Sequence, residues 1–298
     1  MGKIAFVFSG QGDQYPGMGK ALAERYPAAA QVYALCDSLR PGTSRQCFQG
    51  TEEELRETKN TQPCLFAMEL AAAAVLEEKG ILPAAAAGFS LGEVTAAVVS
   101  GLFDRETGFR LICRRGELMQ REAEKFDTAM AAVLKLTPEQ VEALCRSYPQ
   151  IYPVNFNCPG QITVSGLAQQ MGDFSAAVKA AGGRALPLKV RGAFHSPFMQ
   201  AAAEDFAAEL ARVKIGERRI PLYSDLTAEP YTDEAASLLS RQICSPVRWE
   251  ALVRSMIRDG VDTFFELGPG RTLTNMIKKI DAGVTAVSVS EYLPEEGS

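Results

Sequence analysis

The 298-residue sequence predicts an α/β fold in which a mainly parallel sheet carries an inserted module. Strand-like and helix-like segments alternate along most of the chain, which is typical of parallel strands joined by crossover helices. Residues 126–190 follow a separate order, βαββαβ, which is that of the split ferredoxin-like unit. We therefore expect a large α/β body formed by residues 1–125 and 191–298, interrupted by a ferredoxin-like subdomain at 126–190.

The body begins with KIAFVF, residues 3–8, a short apolar run that predicts a buried strand. The segment PCLFAMELAAAAVLEEKG predicts a helix that starts at Pro63 and ends at Gly80, because proline suits the first turn and glycine the C-terminal cap. A short helix should follow the sequence GFSLGE, and a longer one should run from about Asp104 to Lys125. The C-terminal part predicts three further elements: the strand DTFFELG, the helix RTLTNMIKKI and a last strand near VTAVSVS.

The elements of the inserted segment are separated by clear start and turn signals. The helix TPEQVEALCRSY has Thr137 as its cap and Pro138 at its first position. The dipeptide Pro159-Gly160 separates two strands, IYPVNFN and QITVSG. The strand AMAAVL, the helix LAQQMGDFSAAVKAAGG and the strand RALPLKV complete the unit.

The composition argues against several classes of protein. Hydrophobic residues make up 47% and charged residues 22%, as in ordinary globular proteins. No apolar run approaches the roughly 20 residues of a membrane helix, and the one at the N-terminus is too short for a signal peptide, so we expect a cytoplasmic protein. A net charge of −5 argues against a general nucleic-acid binder. The seven cysteines include no C-x-x-C pair, which argues against a disulfide framework and a zinc site.

The sequence GFSLGE matches the pattern G-x-S-x-G of a nucleophile elbow, a sharp strand-to-helix turn that exposes one serine hydroxyl. Ser90 is therefore a candidate nucleophile, although the pentapeptide alone is equally compatible with a plain strand–turn–helix corner. A serine nucleophile needs a general base, and the only histidine, His195, lies in a loop just after the inserted segment. A surface or helix-capping role for His195 stays open. No motif marks a third, acidic residue, so either an unrecognised acid or a backbone carbonyl would orient the imidazole.

The helix after the elbow carries an arginine in an unusual position. Arg115 falls on the same helical face as four apolar side chains: Leu111, Ile112, Leu118 and Met119. Its neighbour Arg114 falls on the polar side. An arginine in an apolar stripe must reach solvent, pair with an acid or bind an anion, and its guanidinium fork matches a carboxylate. The pattern alone leaves structural pairing and anion binding both open.

The loop FSGQGDQYPGMG follows the first strand directly, at the sheet edge where α/β folds place their sites. It lacks the established phosphate-binding motifs, which argues against a nucleotide site. A backbone N–H from this loop, together with the N–H of Leu91, would complete an oxyanion hole.

Taken together, these residues resemble the malonyl-CoA:acyl carrier protein transacylases of fatty-acid and polyketide synthesis. The resemblance covers nearly the whole chain and includes seven motifs: FVFSGQGDQYPGMG, GFSLGE, RRGELMQ, VNFNCPGQITVSG, GAFHSPFM, SPVRW and ELGPGRTLTNMIKK. It implies a hydrolase-like parallel-sheet body with an inserted ferredoxin-like subdomain. It also implies transfer of malonyl from malonyl-CoA to the phosphopantetheine thiol of acyl carrier protein, by a ping-pong mechanism through a malonyl-serine. No metal or redox cofactor is implied.

The resemblance further implies roles for individual residues. Ser90 would carry the malonyl ester, His195 would be the general base and acid, and Arg115 would bind the malonyl carboxylate. The other implied site residues are Gln11 and Leu91 for the oxyanion-hole amides, Phe194 for malonyl selection, Arg248 for the carbonyl that orients the histidine, and Asn157 and Gln161 near the cleft.

The sequence departs from the family pattern at Phe89, where most members have histidine before the nucleophile. This departure leaves open a non-catalytic relative that only binds the carrier. A second alternative, independent of Phe89, is a serine thioesterase or esterase with water as the acceptor. Because carrier proteins are acidic and this chain is itself net negative, docking requires a local basic surface. The candidates for it are Lys189, Arg191, Lys278 and Lys279.

Overall fold

The computed structural model describes residues 2–190, 192–232 and 234–293, in which nine strands form two sheets. The strands are β1 (Lys3–Phe8), β2 (Ala85–Gly88), β3 (Thr128–Leu134), β4 (Ile151–Cys158), β5 (Gln161–Leu167), β6 (Arg184–Pro187), β7 (Leu222–Tyr223), β8 (Val261–Glu266) and β9 (Thr285–Ser288). The helices are α1 (Lys20–Arg25), α2 (Pro27–Leu39), α3 (Thr43–Gln49), α4 (Glu52–Arg56), α5 (Thr58–Glu78), α6 (Gly92–Ser100), α7 (Arg105–Ala123), α8 (Pro138–Arg146), α9 (Ala168–Ala180), α10 (Gln200–Leu210), α11 (Ala235–Arg241), α12 (Trp249–Arg258), α13 (Thr272–Ile280) and α14 (Val289–Tyr292). Short 3-10 turns span Pro197–Met199 and Gln242–Cys244.

Five strands form a wholly parallel sheet in the order β7-β2-β1-β8-β9. The central strand β1 covers the predicted residues, and its last four side chains are buried. Its register places Phe8 opposite Gly88, so the loops that follow β1 and β2 leave the sheet at the same edge. This is the edge at which parallel sheets place their sites, and it brings the loops of Gln11 and Ser90 side by side. The predicted parallel-sheet body is confirmed.

The long helix α5 packs against α7 and contributes many side chains to the core. Its end agrees with the prediction, because Gly80 has a φ of 78° and the amides of Gly80 and Ile81 bond back to the last helical turn. Its predicted start is wrong: the helix begins at Thr58, so Pro63 lies in the second turn. The amide of Thr58 donates to Gln120 Oε1 of α7 at 2.8 Å. A contact with another helix therefore satisfies the helix start that the sequence does not mark.

The second sheet has the order β4-β5-β3-β6 with every pair antiparallel, and α8 and α9 pack on it around a core of their own. This confirms the predicted βαββαβ unit. Thr137 caps α8 through a capping box with Gln140, and Pro138 is the first helical residue, as predicted. The four strands lie within residues 128–187; the division of the chain at 126 and 190 stays a prediction.

Backbone hydrogen bonds join the small sheet to the body. Phe156 N donates to Val247 O at 2.9 Å, and Val247 N donates to Val154 O at 2.8 Å. The segment around Val247 thus runs beside β4, which attaches the SPVRW region to the small sheet. Within the described residues, no helix has both the length and the apolarity needed to cross a membrane.

Candidate active site

Ser90 lies in the sharp turn between β2 and α6. Its backbone φ is 55°, in the left-handed region that residues other than glycine rarely adopt. The flanking glycines are required by space, because a Cβ on Gly88 would lie 1.9 Å from Glu93 N and one on Gly92 would lie 2.3 Å from Phe8 O. These are the constraints of a nucleophile elbow.

The imidazole of His195 faces this serine across the site. Its Nε2 lies 2.7 Å from Ser90 Oγ, and its Nδ1 lies 2.9 Å from the carbonyl oxygen of Gln242. A carbonyl only accepts, so Nδ1 carries the hydrogen and Nε2 presents its lone pair to the serine hydroxyl. Burial, assisted by the charge of Arg115, lowers the pKa of His195 to about 4. The ring is therefore neutral at pH 7, which is the form a general base requires.

The prediction that Arg248 supplies the histidine-orienting carbonyl is wrong. That carbonyl belongs to Gln242, in the 3-10 turn before the SPVRW motif. Arg248 has an exposed side chain, and its amide donates to Asp225 O at 2.7 Å. The turn directs the Gln242 carbonyl at His195, and a linear motif does not reveal the direction of a carbonyl.

Arg115 reaches into the same site from α7, with only 1% of its surface exposed. Nη1 donates to Gln62 Oε1 at 2.9 Å, and Nη2 donates to Gln242 Oε1 at 2.7 Å and to Ser90 Oγ at 3.3 Å. The Nε–H is buried and has no acceptor among the described residues. Burial lowers the pKa of Arg115 to about 10, so the guanidinium is charged at neutral pH. The site therefore holds a cation that its protein partners do not fully satisfy.

The helical phase expected for α7 is observed. Arg114 lies on the outer face, where it pairs with Glu117 and Glu209 at 3.1 Å each. The pattern left open whether Arg115 pairs with an acid or binds an anion. Its hydrogen bonds go to two neutral amides and a hydroxyl, so no carboxylate of the described residues contacts the guanidinium directly.

Gln242 is a central residue that the sequence analysis missed. Besides its carbonyl on His195 and its Oε1 on Arg115, its Nε2 donates to the carbonyl oxygen of Ser90 at 2.7 Å and to Glu93 Oε2 at 2.6 Å. One buried residue thus holds Ser90 and Arg115 through its side chain and His195 through its backbone carbonyl. In the sequence, Gln242 is distinguished only by lying three residues before the SPVRW motif, and this position alone does not predict a role in the site.

Two buried carboxyl groups next to Ser90 were also missed. Asp225 Oδ2 accepts from the amide of Ser90 at 2.8 Å, and Glu93 Oε1 accepts from Tyr231 OH at 2.5 Å. Burial raises the pKa of both carboxyl groups. Glu93 left a signal, since it is an acid at the start of an apolar helix, whereas Asp225 lies in a loop without a motif.

The loops of the predicted oxyanion hole are adjacent. Gln11 is half-buried in the loop after β1, and Leu91 is fully buried at the start of α6. A Cβ on Gly10 would lie 2.7 Å from the Phe89 ring, so the two loops pack closely. The assignment of the two amides to an oxyanion remains a prediction that this arrangement allows.

The remaining predicted residues, Phe194, Asn157 and Gln161, make no described hydrogen bond to Ser90, His195 or Arg115. Phe194 is buried, and its carbonyl accepts from Ser165 Oγ at 3.3 Å. The other two stand at the β4–β5 turn: Asn157 Nδ2 donates to Thr163 Oγ1 at 3.3 Å, and Gln161 Oε1 accepts from Cys158 Sγ at 3.7 Å. Among the described residues, no group of three or more His, Cys, Asp or Glu side chains is arranged to hold a metal ion.

A neutral imidazole on a serine hydroxyl, beside a buried cation, is equipped for acyl transfer with an acyl group that carries a negative charge. The family model of the acyl transferase domain matches residues 5–295. The malonyl CoA-acyl carrier protein transacylase of Bacillus subtilis is 37% identical over 299 residues, which cover 98% of this chain and 94% of the relative. The chain belongs to this transacylase family.

Solved structures of the transacylase family share the fold. The malonyl CoA-acyl carrier protein transacylase from Clostridium perfringens superposes with a TM-score of 0.92 at 34% identity, over 96% of this chain and 92% of that one. A malonyl-transacylase in complex with a type II PKS acyl-carrier protein gives a TM-score of 0.92 at 35% identity, over 96% of this chain and 95% of that one.

The departure from the transacylase pattern at Phe89 leaves the Ser90–His195 hydrogen bond in place. The Phe89 ring packs edge-on against Trp249, with 5.6 Å between ring centroids. It thereby joins the apolar cluster on one side of the parallel sheet. A phenyl ring at this position is thus held by packing against Trp249.

Proposed function

We propose that this chain transfers malonyl from malonyl-CoA to the phosphopantetheine thiol of acyl carrier protein through a malonyl-Ser90 ester. One observation carries the proposal: the buried guanidinium of Arg115 lies 3.3 Å from Ser90 Oγ and keeps its Nε–H without a protein acceptor. A malonyl group ends in a carboxylate two carbons from the carbonyl that reacts. A cation beside the nucleophile complements that carboxylate, and it would be left unpaired by an acetyl group.

In the first half-reaction, the oxygen of Ser90 attacks the thioester carbonyl while its proton passes to His195 Nε2. The negative charge that develops on the carbonyl oxygen is stabilised by the backbone amides of Gln11 and Leu91. The C–S bond then breaks, and the coenzyme A sulfur takes the proton from His195. The malonyl group is left as an ester on Ser90.

The second half-reaction runs the same steps in reverse with a different thiol. The phosphopantetheine thiol gives its proton to His195, and its sulfur attacks the ester carbonyl. The C–O bond breaks, and Ser90 recovers its proton from the imidazole. One imidazole serves both halves, because the Gln242 carbonyl holds Nδ1–H while Nε2 exchanges the proton. The reaction requires no cofactor beyond the thiols of its two substrates.

Acyl carrier protein is proposed as the partner, in line with the complex solved for the relative described above. For its docking surface we favour Lys278 and Lys279, which are exposed near the C-terminal end of α13. Lys279 is close enough to Cys158 to influence its thiol, which places this pair near the β4–β5 turn. Lys189 instead lines a groove of about 1080 Å³ that also contains four carboxyl side chains: Glu53, Glu57, Glu124 and Asp127. Arg191, also predicted, lies outside the described residues.

We also propose a cytoplasmic location. The seven cysteines are unpaired thiols, five of them buried, which suits a reducing compartment.

Intact-protein mass spectrometry after incubation with malonyl-CoA tests the proposed function. The wild-type protein should gain one malonyl group, lose it on addition of holo acyl carrier protein, and pass it to the carrier rather than to water. The Ser90→Ala variant should gain none, because Ser90 is the residue whose hydroxyl, in the part of the chain that the structure describes, is hydrogen-bonded to His195. An adduct on the Ser90→Ala variant would contradict the nucleophile, and release of free malonate at the same rate with and without carrier would indicate a thioesterase instead.

A further inference from the structure

We propose that Asp225 acts in its protonated form as a positioning residue, which shares one proton with Glu93 while holding the backbone amide of Ser90. The inference rests on the proposed function, since the position of Ser90 matters for chemistry only if Ser90 carries the acyl group. Asp225 takes no part in the chemical steps described above. It contacts Ser90 at the backbone amide.

The two carboxyl groups are fully buried and close together. Gln242 Nε2 lies 2.6 Å from Glu93 Oε2 and 3.2 Å from Asp225 Oδ2. The side chains of Asp225 and Glu93 are in hydrogen-bonding contact with each other. Two carboxylates are only acceptors, so this contact requires a proton on one of them. Burial and mutual repulsion also prevent both groups from being ionised together.

The hydrogen-bond partners place that proton on Asp225. Both oxygens of Glu93 have donors, since Tyr231 OH lies 2.5 Å from Oε1 and Gln242 Nε2 lies 2.6 Å from Oε2. Asp225 Oδ2 accepts from Ser90 N at 2.8 Å, but Oδ1 is buried and has no donor among the described residues. An Oδ1–H directed at Glu93 satisfies that oxygen.

This arrangement balances the charge of the site. Arg115 and an ionised Glu93 compensate each other, whereas a second carboxylate would leave a buried negative charge beside a serine whose substrate develops an oxyanion. The other titratable groups that face the pair are Arg115, Tyr231 and, across Ser90, His195. Burial lowers the pKa of Arg115 to about 10 and that of His195 to about 4, and it raises the pKa of Tyr231. Between about pH 5 and pH 9, therefore, none of these three neighbours changes its charge.

Matched amide substitutions locate the proton. In Asp225→Asn, the amide oxygen still accepts from Ser90 N, and the amide N–H replaces the proposed O–H toward Glu93. Formation of malonyl-Ser90 should therefore stay within about threefold of the wild-type rate, while Asp225→Ala, which frees the amide of Ser90, should lose about tenfold or more. Glu93→Gln replaces one acceptor oxygen by an N–H donor, so either Gln242 Nε2 loses its acceptor or the Tyr231 hydroxyl must change from donor to acceptor. It should therefore lose more than Asp225→Asn. The reverse order, a tolerated Glu93→Gln and a damaging Asp225→Asn, overturns the proposal.

The pH dependence of unfolding gives a second measurement that a purely structural role would not move. Free Asp has a pKa of about 3.9, so above about pH 5 the unfolded chain has lost a proton that the folded wild type retains. The wild type should then become less stable relative to Asp225→Asn as the pH rises. Its unfolding equilibrium constant, relative to that of the variant, should increase about tenfold per pH unit. The gap in unfolding temperature, defined as the value for Asp225→Asn minus the value for the wild type, should therefore widen from pH 5 to pH 8. A constant gap, or one that narrows, shows an ordinary carboxylate and refutes the proposal.

The two kinds of failure are separable. Unfolding is measured without acyl-CoA, so a wild-type protein that forms no malonyl adduct would refute the proposed function while the unfolding data still test the carboxyl pair. Conversely, normal malonyl transfer with a constant gap in unfolding temperature would refute the shared proton alone.

Discussion

Replacing Arg115 by alanine tests the substrate class directly. The guanidinium is 1% exposed and lies 3.3 Å from Ser90 Oγ, so a malonyl carboxylate would meet it in an almost dry site where charge pairs are strong. Truncating one partner of such a pair costs about 2–5 kcal/mol. This corresponds to a loss of roughly 30-fold to several thousand-fold in kcat/KM for malonyl-CoA. Transfer of acetyl should hold steady or rise, because acetyl no longer leaves a buried cation unpaired.

The quantity to measure is the ratio of kcat/KM for malonyl-CoA to that for acetyl-CoA. Arg115→Ala also leaves the amide oxygens of Gln62 and Gln242 without a donor, and a ratio taken within one variant cancels the resulting loss of folded enzyme. Arg114→Ala is the matched control: the same residue type on the same helix, exposed and paired with Glu117 and Glu209. An unchanged ratio in Arg115→Ala, or a collapsed ratio in Arg114→Ala, would refute the assignment of the carboxylate to Arg115.

The further predictions concern the general base and the carrier partner. His195→Ala should slow formation of the malonyl-enzyme by roughly 10²- to 10⁴-fold in rapid-quench measurements; an unchanged rate would make the histidine structural. Because its folded pKa is lowered to about 4, wild-type acylation should be flat from neutral pH down to about pH 5 and fall below it. Because an unfolded histidine has a pKa of about 6.5, His195 also lowers the free energy of unfolding as the pH falls from about 6.5 to about 4. His195→Ala should remove this contribution to the pH dependence of unfolding. Lys278→Glu with Lys279→Glu should weaken transfer to acyl carrier protein, most at low salt, without slowing acylation by malonyl-CoA. Lys189→Glu is the comparison, and a larger effect there would move the docking surface to the groove beside the subdomain.

Features of this protein that depend mainly on residues close together in the chain could be predicted from its sequence alone. The elbow could be predicted because the clash that demands Gly88 is local, with a Cβ 1.9 Å from Glu93 N, whereas the clash that demands Gly92 is with Phe8 O of the neighbouring strand. The inward placement of Arg115 followed from helical periodicity, which depends only on spacing along α7. The ferredoxin-like unit followed from the order of its elements and from the signals at Thr137 and Pro138.

Features that depend on contacts between residues distant in the chain were determined only by the tertiary structure. The start of α5 at Thr58, five residues before Pro63, is satisfied by Gln120 on another helix. Gln242 reaches the carbonyl of Ser90 across 152 residues, and Asp225 reaches its amide across 135.

The histidine-orienting group shows the physical reason most clearly. It is a backbone carbonyl, which every residue possesses, so its role depends on the direction of a turn and not on a side chain. The family resemblance therefore pointed to Arg248, and only the 3-10 turn at Gln242–Cys244 placed the Gln242 carbonyl 2.9 Å from Nδ1 of His195.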